Sequence, residues 1–308
     1  MGKYILKRLL WLIPVMVGVI TIVFAITVFM PGDPAAALLD KNATQEQIDE
    51  VHTRLGLDKP VLERWGNYVV GVFTKFDFGT SYTTMQPVRN EVLAKLPYTL
   101  ILAVTSTLFA FLIGVPLGIW GALKQYTAID AAILFLSVLF VSMPSFWLAM
   151  MLIDKFAVQM NILPAFGVSD AKGWILPIVV CTIGSMAGNI RITRSSMLEV
   201  MQQDYIRTAR AKGVAERMVI LKHGLRNAIL PVVTYLGTLI ANLLTGSFIV
   251  ERLFAIPGLG KYFVDSITAR DYNIIMGVTI FLGVFVVTCN LIVDVVYGII
   301  DPRVKLDE

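Results

Sequence analysis

The chain has 308 residues, of which 56% are hydrophobic and 16% are charged, and its mean hydropathy is +0.74. An ordinary soluble domain is less apolar and more charged, so much of this apolar content must face lipid. The net charge of +4 does not indicate nucleic-acid binding, because the basic residues flank apolar runs instead of forming one patch with aromatic side chains. Cys181 and Cys289 lie within apolar runs and predict neither a disulfide framework nor a metal site.

The first apolar run follows Lys3, Lys7 and Arg8, as the apolar region of a secretory signal does. It covers residues 9–30, whereas the apolar region of a signal peptide has only about 7–15 residues. We therefore predict an uncleaved first membrane span.

A helix needs about 20 apolar residues to cross a bilayer, and segments of that kind recur along the chain. The predicted spans are residues 9–30, 98–123, 131–153, 174–190, 228–250 and 274–300. The fourth is short and contains Pro177, Gly184 and Gly188, which tilting of the helix and thinning of the bilayer tolerate. The prediction is an all-α integral membrane protein with about six transmembrane helices.

Two clusters of basic residues define the orientation, because Lys and Arg in short loops mark the cytoplasmic face. One cluster precedes the first span. The other lies in residues 191–227, where eight Lys and Arg face only three acidic residues. Four predicted spans separate the clusters, so both lie on one face, and we predict that both termini are cytoplasmic.

Residues 31–97 have balanced charge and begin with the turn motif Pro31-Gly32-Asp33-Pro34. An amphipathic helix is predicted over residues 45–55, with Thr44 as its N-cap. The predicted organisation is a first span with a small extracytoplasmic cap (1–94), a membrane core (95–298) that includes a cytoplasmic loop (191–227), and a cytoplasmic tail (299–308).

Two pairs of glycines have the GxxxG spacing that lets helix backbones approach closely, Gly114 with Gly118 and Gly184 with Gly188. We interpret both as sites of packing within the chain in preference to a homodimer face. Asp294 is an acid well inside an apolar run, and such residues are often functional. It lies close to Asp301 near the cytoplasmic interface, so structural pairing is favoured over a proton or ion site, and both readings stay open.

The chain has no GxxxxGK[ST] motif. The nearest sequence, Gly260-Lys261, has Ala255 in place of the required glycine and Tyr262 in place of Ser or Thr. It therefore cannot hydrolyse ATP through a P-loop, and no set of catalytic residues suggests another enzyme.

The most informative segment is predicted to be a helix, a glycine break and a second helix. Asp204 is the expected cap of the first helix, and Gly213 follows it as a C-terminal signal. The second helix carries an apolar stripe. The stripe consists of Val214, Met218, Leu221 and Leu225. A basic helix pair with such a stripe suits either a groove on a partner protein or an anionic lipid surface, and the pattern alone does not decide between them.

This segment resembles the EAA loop of ABC-type importer permeases, in the branch that imports oligopeptides, dipeptides, glutathione and nickel. Arg207-Thr208-Ala209 stands at the EAA positions, Gly213 at the glycine, and residues 223–226 where the general pattern has I-x-L-P. The glutamate and the proline of the general pattern are absent, but RTARAKG followed by H-x-L-R-N-A resembles the variant of the peptide branch. Further short matches occur in the same order along the chain. They are residues 31–34, 55–60, 77–79, 257–260, 270–272, Asp294 with Tyr297, and 301–302.

The resemblance implies a type I ABC importer permease fold and a heteromer with a second homologous permease, two cytoplasmic ATPases and an extracytoplasmic solute-binding protein. ATP and Mg would be bound by the ATPases, this chain holding no cofactor, and the membrane would be that of a bacterium or archaeon. The residues expected at the ATPase contact are Tyr205, Arg207, Thr208, Ala209, Arg210, Gly213, Arg217 and His223. Those expected to face the binding protein are Asp33, Asp77, Gly258 and Asp271. A peptide is the expected substrate, and nickel or glutathione is the alternative substrate for the same ABC importer. An alternative from another class of protein is a proton-driven secondary transporter that uses Asp294.

Overall fold

The computed structural model describes residues 2–29, 33, 35, 38, 39 and 44–300. Side chains are described over the same ranges except at residues 2–9, 294 and 296–300. The side chain of Asp294, most of the 31–34 motif and the predicted tail from residue 301 onward therefore lie outside the described residues. The regular structure of the described chain is helical, apart from one isolated antiparallel bridge between Thr80 and Pro87.

The helices follow one another along the chain with short connections. The α-helices are α1 (Gly2–Phe29), α2 (Gln45–Leu55), α3 (Val61–Lys75), α4 (Val88–Leu123), α5 (Ala128–Ser142), α6 (Ser145–Leu152), α7 (Ile175–Met201), α8 (Asp204–Ala211), α9 (Glu216–Met218), α10 (Arg226–Gly246), α11 (Phe248–Leu253), α12 (Leu259–Ala269) and α13 (Tyr272–Ile300). A π-helical segment, Ile153–Gln159, continues α6, and a second one, Val219–Leu225, joins α9 to α10. A 3-10 turn, Ala171–Trp174, leads into α7.

Five described helical stretches are long and apolar enough to cross a membrane, and a bent pair of helices makes a sixth crossing if it counts as one span. The five are Leu10–Phe29, Val88–Leu123, Ala171–Met201, Glu216–Gly246 and Tyr272–Val293. They confirm the first, second, fourth, fifth and sixth predicted spans. The fourth, predicted as the shortest, is 31 residues long, and the second starts at Val88, ten residues before the predicted start at residue 98.

The third predicted span, residues 131–153, is not one straight helix. Helix α5 and the helix that begins at Ser145 are bent by 96° at the break between them. Proline has no backbone N–H to continue the ladder and disfavours helical dihedrals in the preceding residue. Met143 accordingly has φ −78° and ψ 122°, while Pro144 begins the next helix by accepting the N–H of Leu148 at 3.1 Å.

The chain divides into two compact units. One contains the described residues up to Thr99 together with Pro257–Thr288, and the other contains Leu100–Ile256 with the described residues from Cys289 onward. The first unit is called the N-terminal unit below and the second the central unit.

Helices α4 and α7 pack closely within the central unit at the first glycine pair. A Cβ atom added at Gly114 would lie 2.8 Å from Cβ of Asn189, and one at Gly118 would lie 2.6 Å from Cβ of Thr193. Real Cβ atoms do not approach so closely, so only glycine fits. Asn189 and Thr193 are completely buried, with an exposed fraction of 0%. Their side-chain polar atoms have no hydrogen-bond partner among the described residues. Packing within the chain is thus confirmed for this pair.

In the second glycine pair, Gly184 and Gly188, only Gly188 lies at a close contact between helices. A Cβ atom at Gly188 would collide with the ring and hydroxyl of Tyr235 on α10, whereas Gly184 has open space around it. The α7–α10 contact continues through the apolar cluster of Met186, Ile190 and Leu239. Helix α7 is therefore packed against α4 on one side and α10 on another.

The N-terminal unit has its own apolar centre. Tyr82, Tyr272 and Ile275 are buried together, and the two tyrosine rings meet edge to face with centroids 6.4 Å apart. Helix α2 begins as predicted, because Oγ1 of Thr44 accepts the N–H of Gln47 at 3.4 Å and Oε1 of Gln47 accepts the N–H of Thr44 at 2.9 Å. This reciprocal capping box satisfies two donors that the helix itself cannot.

Candidate functional site

The predicted helix–glycine–helix segment is present in the central unit. Helix α8 ends at Ala211, and Gly213 takes φ +75° with open space around its Cα. Its N–H donates to the carbonyl of Arg210 at 2.9 Å, and the N–H of Val214 donates to that of Ala209 at 3.2 Å. Left-handed dihedrals of this kind suit glycine, which has no Cβ to clash. The predicted role of Gly213 in turning the chain is thus supported by its conformation.

The start of α8 differs from the prediction. Gln203 is the N-cap, no side chain caps the helix, and Asp204 is the first helical residue. Asp204 still stabilises the helix, because a carboxylate in the first turn faces the positive end of the helix dipole. Its side chain lies 3.7 Å from the guanidinium of Arg207 at the surface.

The interior of the helix pair is apolar. Ile206 and Val219 are completely buried against each other, and Ala209 is 9% exposed in the same cluster. Ala209 is one of the residues predicted at the ATPase contact. In the structure the alanine packs with Val219 inside the chain, where its small side chain lets α8 lie close to the following helix, and its contact with an ATPase stays a prediction.

The exposed face of the helix pair is basic. Exposed residues on it include Tyr205, Arg207, Thr208, Arg210, Gly213 and Arg217, whereas His223 is half-buried. Arg210 binds Glu216 with two hydrogen bonds, Nε to Oε2 at 3.1 Å and Nη2 to Oε1 at 2.7 Å. These bonds raise the pKa of the Arg210 guanidinium above its ordinary value. The pair fixes α8 relative to α9 across the glycine turn.

The predicted apolar stripe is divided between two environments. Val214 packs on the buried cluster, whereas Met218 and Leu221 are 47% and 60% exposed. Two exposed apolar side chains therefore lie beside the basic face, and this combination is typical of a helix that docks into a groove.

Contacts at the far end of the segment were not predicted. The amide of Asn227 donates to the hydroxyl of Tyr205 at 2.8 Å, which ties α8 to the first turn of α10. Gly224 is buried in the π-helical segment beneath the sulfur of Met201. A π-helical turn leaves no periodicity in the sequence that would reveal it, because it changes one turn only.

A buried ion pair anchors α7 next to this segment. Arg194 donates to Asp130 through Nε at 2.6 Å and through Nη2 at 2.7 Å, and the N–H of Tyr126 reaches the same carboxylate at 3.2 Å. The two side chains are 18% and 5% exposed. Sequence reasoning treated Arg194 as one of several basic residues of the loop, and no spacing pairs it with an aspartate 64 positions earlier.

The residues expected to face a binding protein lie in the N-terminal unit and separate into two groups. Asp77 is exposed and accepts the N–H of Gly79 at 2.9 Å. Asp33 is half-buried, and both its carboxylate oxygens lie 2.8 Å from Nε2 of His52. Gly258 is buried where it precedes α12, and Asp271 is 0% exposed. Gly258 and Asp271 are thus buried and Asp77 is exposed, and the contact of all four residues with a binding protein stays a prediction.

Asp271 instead holds a turn of the N-terminal unit in place. Its Oδ2 accepts the hydroxyl of Ser81 at 2.7 Å and the N–H of Thr83 at 3.0 Å, and its Oδ1 accepts the N–H of Ile274 at 3.3 Å. Three donors satisfy the buried carboxylate, as buried polar groups require. Asp271 thus has a structural role in this turn.

The helices, the broken third span and the basic helix pair define a multi-pass membrane permease. Residues 114–306 match the family model for the binding-protein-dependent transport system inner membrane component, and residues 1–103 match the model for the N-terminal part of such components. The chain belongs to this family of ABC transporter permeases. It therefore functions in transport, as its resemblance to these permeases implied.

Similar proteins of known name cover the whole chain. An oligopeptide transport system permease protein of Bacillus subtilis is 41% identical over 99% of this chain and 100% of its own length. A dipeptide transport system permease protein of the same organism is 40% identical over 99% of both chains. A glutathione transport system permease protein of Salmonella choleraesuis is 40% identical, also over 99% of both.

Solved structures support the fold alone. A chain of a methionine ABC transporter in inward-facing conformations superposes with a TM-score of 0.56 at 19% identity, covering 69% of this chain and 97% of that one. A chain of an amino acid ABC transporter gives a TM-score of 0.50 at 17% identity, covering 70% and 95%.

Proposed function

We propose that this chain is one permease subunit of an ATP-driven importer that carries di- and oligopeptides across a bacterial or archaeal cytoplasmic membrane. A second homologous permease completes the path, two ATPase subunits bind ATP and Mg, and a solute-binding protein delivers the substrate. Family membership supports the assignment to an ATP-driven importer. The names of relatives that are about 40% identical over nearly the whole chain support peptides as the substrate class.

The observation that carries the proposal is the exposed face of the helix pair. Arg207, Arg210 and Tyr205 are exposed on α8, and Met218 and Leu221 are exposed beside them. A charged rim around an apolar centre is the usual composition of a protein interface. We assign this face to the ATPase contact.

The topology follows from the same assignment. The helix pair and both termini lie in the cytoplasm, and the segment between the first two spans forms a cap on the other side of the membrane. The density of Lys and Arg in residues 191–227 supports this orientation.

Motion passes from the ATPases to the spans through buried contacts. Ile206 on α8 packs on Val219, which belongs to the helical stretch that continues into α10. Arg210 with Glu216 and Tyr205 with Asn227 hold α8 to the same stretch. Because a packed interior transmits displacement, a displacement of α8 by closing ATPases moves the fifth span.

Replacement of Gly213 tests this coupling. Gly213→Val forces a β-branched residue to φ +75°, a strain of about 1–3 kcal/mol, and should lower peptide uptake per ATP hydrolysed about tenfold, since ~1.4 kcal/mol shifts an equilibrium tenfold. Gly213→Asn is the matched control, because asparagine tolerates left-handed dihedrals. Uptake and ATPase activity are measured together in proteoliposomes that hold the complete importer. Normal coupling in the valine variant would contradict the assignment.

The substrate is tested with the same preparation. A series of peptides of increasing length, with glutathione and a nickel complex included, is added with the binding protein, and stimulated ATPase activity and uptake are recorded. We expect the strongest response to short peptides. A response to glutathione or nickel alone would reassign the substrate, and uptake by this chain alone under a proton gradient would replace the ATP-driven mechanism.

A further inference from the structure

The N-terminal unit contains a cavity of ≈290 Å³ with both polar and apolar walls. It lies where α1 and α13 meet the segment that connects the first two spans. Its lining residues all belong to the N-terminal unit, and they include Arg64, Asn67, Tyr68, Asp77, Tyr82 and Asn273. The volume is near the lower limit of small-molecule pockets, about 300–1,000 Å³.

Three charged residues line this cavity. Lys59 pairs with Glu63 at 3.3 Å, whereas the oppositely charged Arg64 and Asp77 do not bind each other. Arg64 forms no ion pair with any described residue, and its guanidinium lies 5.9 Å from the ring centre of Phe24. Asp77 is likewise outside every described ion pair and accepts only the N–H of Gly79. An unpaired cation and an unpaired anion in one small cavity complement a molecule that carries both charges.

The phenols of the cavity add neutral donors. Burial raises the pKa of Tyr82 to about 12, and burial together with the nearby Asp77 charge raises the pKa of Tyr68 above its ordinary value. The Tyr68 hydroxyl is buried and has no hydrogen-bond partner among the described residues. A buried polar atom left without a partner in a native protein calls for an explanation, and an unseen ligand or water is one of the usual ones.

The lining also excludes other ligand classes. Among the described residues that line it, Asp77 is the only carboxylate, so this lining lacks the set of oxygen ligands that a hard cation requires. Phe24, Leu55 and Met276 supply an apolar wall beside the charges. A small zwitterion with an apolar side chain matches the charges, the wall and the volume together.

We propose that this cavity binds a short peptide through its free ends, with the terminal carboxylate at Arg64 and the terminal ammonium at Asp77. The inference rests on the proposed function, since it takes its ligand from the substrate class of the importer. The site would receive dipeptide within the N-terminal unit. Arginine suits the carboxylate because its planar group can donate two parallel hydrogen bonds.

The test uses the complete importer in lipid nanodiscs without the binding protein. Titration calorimetry measures the Kd of three probes, alanyl-leucine, its C-terminal amide and its N-acetyl derivative. Wild type should prefer the free dipeptide to each blocked form by about tenfold or more, because each block removes a charged hydrogen bond. This comparison needs no variant and is independent of folding defects.

Two variants then assign the ends. Arg64→Gln should abolish the preference for the free dipeptide over its amide but keep the preference over the N-acetyl form. Asp77→Asn should abolish the preference over the N-acetyl form but keep the preference over the amide. Arg54→Gln is the matched control, since Arg54 is exposed on α2 and does not line the cavity. Absence of dipeptide binding to wild type, or preferences unchanged in both variants, would overturn the proposal.

Uptake measured with the binding protein separates the two proposals. If the importer takes up peptide but the Arg64 and Asp77 variants still prefer the free dipeptide over both blocked forms, the cavity site alone is rejected. Lack of uptake of any peptide defeats the proposed function.

Discussion

Two arginines of the basic segment illustrate how environment decides the contribution of a residue. Arg210 pairs with Glu216 at the surface, where both side chains are about half exposed, and exposed pairs contribute only about 0–1 kcal/mol. Arg194 pairs with Asp130 in a site that is almost closed to solvent. Removal of one partner from a buried pair leaves an uncompensated charge and costs about 3–5 kcal/mol.

Arg194→Met should therefore destabilise the protein by about 3–5 kcal/mol. Arg191→Met is the control, because Arg191 lies one turn earlier on α7 and is exposed. Thermal unfolding of purified protein in detergent, followed by intrinsic fluorescence, compares the two. Equal midpoints for both variants would show that the buried pair does not stabilise the fold.

At the level of helices, the third and fourth spans differ from what their predicted lengths suggested. Residues 131–153 are long and apolar, yet Pro144 divides them with a bend of 96°. The fourth span, predicted as the shortest, is continuous, because Pro177 lies in the first turn of α7, where its missing N–H breaks no hydrogen bond. In these two spans, the position of the proline decides whether the helix continues.

The glycine contacts between helices give a second prediction. Gly118→Ala should destabilise by about 1–3 kcal/mol, since the new Cβ would lie 2.6 Å from Thr193 and 2.8 Å from the Ile190 carbonyl. Gly184→Ala introduces the same methyl group into open space and should stabilise α7 by about 0.5–1 kcal/mol. Thermal midpoints in detergent measure both changes. A loss of stability of similar size in both variants would contradict the close α4–α7 contact.

At the scale of the whole molecule, the described helices predict which loops share a membrane face. Residues 171–201 form one stretch able to span, so Lys172 and Lys212, both exposed, should lie on opposite sides. Single cysteines at these positions, in a chain whose two native cysteines are replaced by serine, are exposed to a membrane-impermeant thiol reagent in intact cells. Only the cysteine at position 172 should react before the membrane is opened. Reaction of both, or of the cysteine at position 212 alone, would reject the proposed orientation.

Much of the site could be anticipated from local sequence. Gly213 is the residue type that a left-handed turn needs, and Thr44 forms a capping box with Gln47, three positions later. Such features depend on neighbours in the chain, so spacing reveals them. The burial of Ala209 and Asp271 could not be anticipated, because their partners come from other elements.

The sequence by itself determined that this protein is helical and membrane-embedded, where most spans lie and which segment is basic. These properties follow from hydropathy and charge, which sum over consecutive residues. Only the tertiary structure decided that the third span is broken, that Arg194 binds Asp130, and that Arg64 and Asp77 line one cavity. Each depends on distances between residues far apart in the chain or on the dihedrals of a single peptide, and no local pattern encodes them.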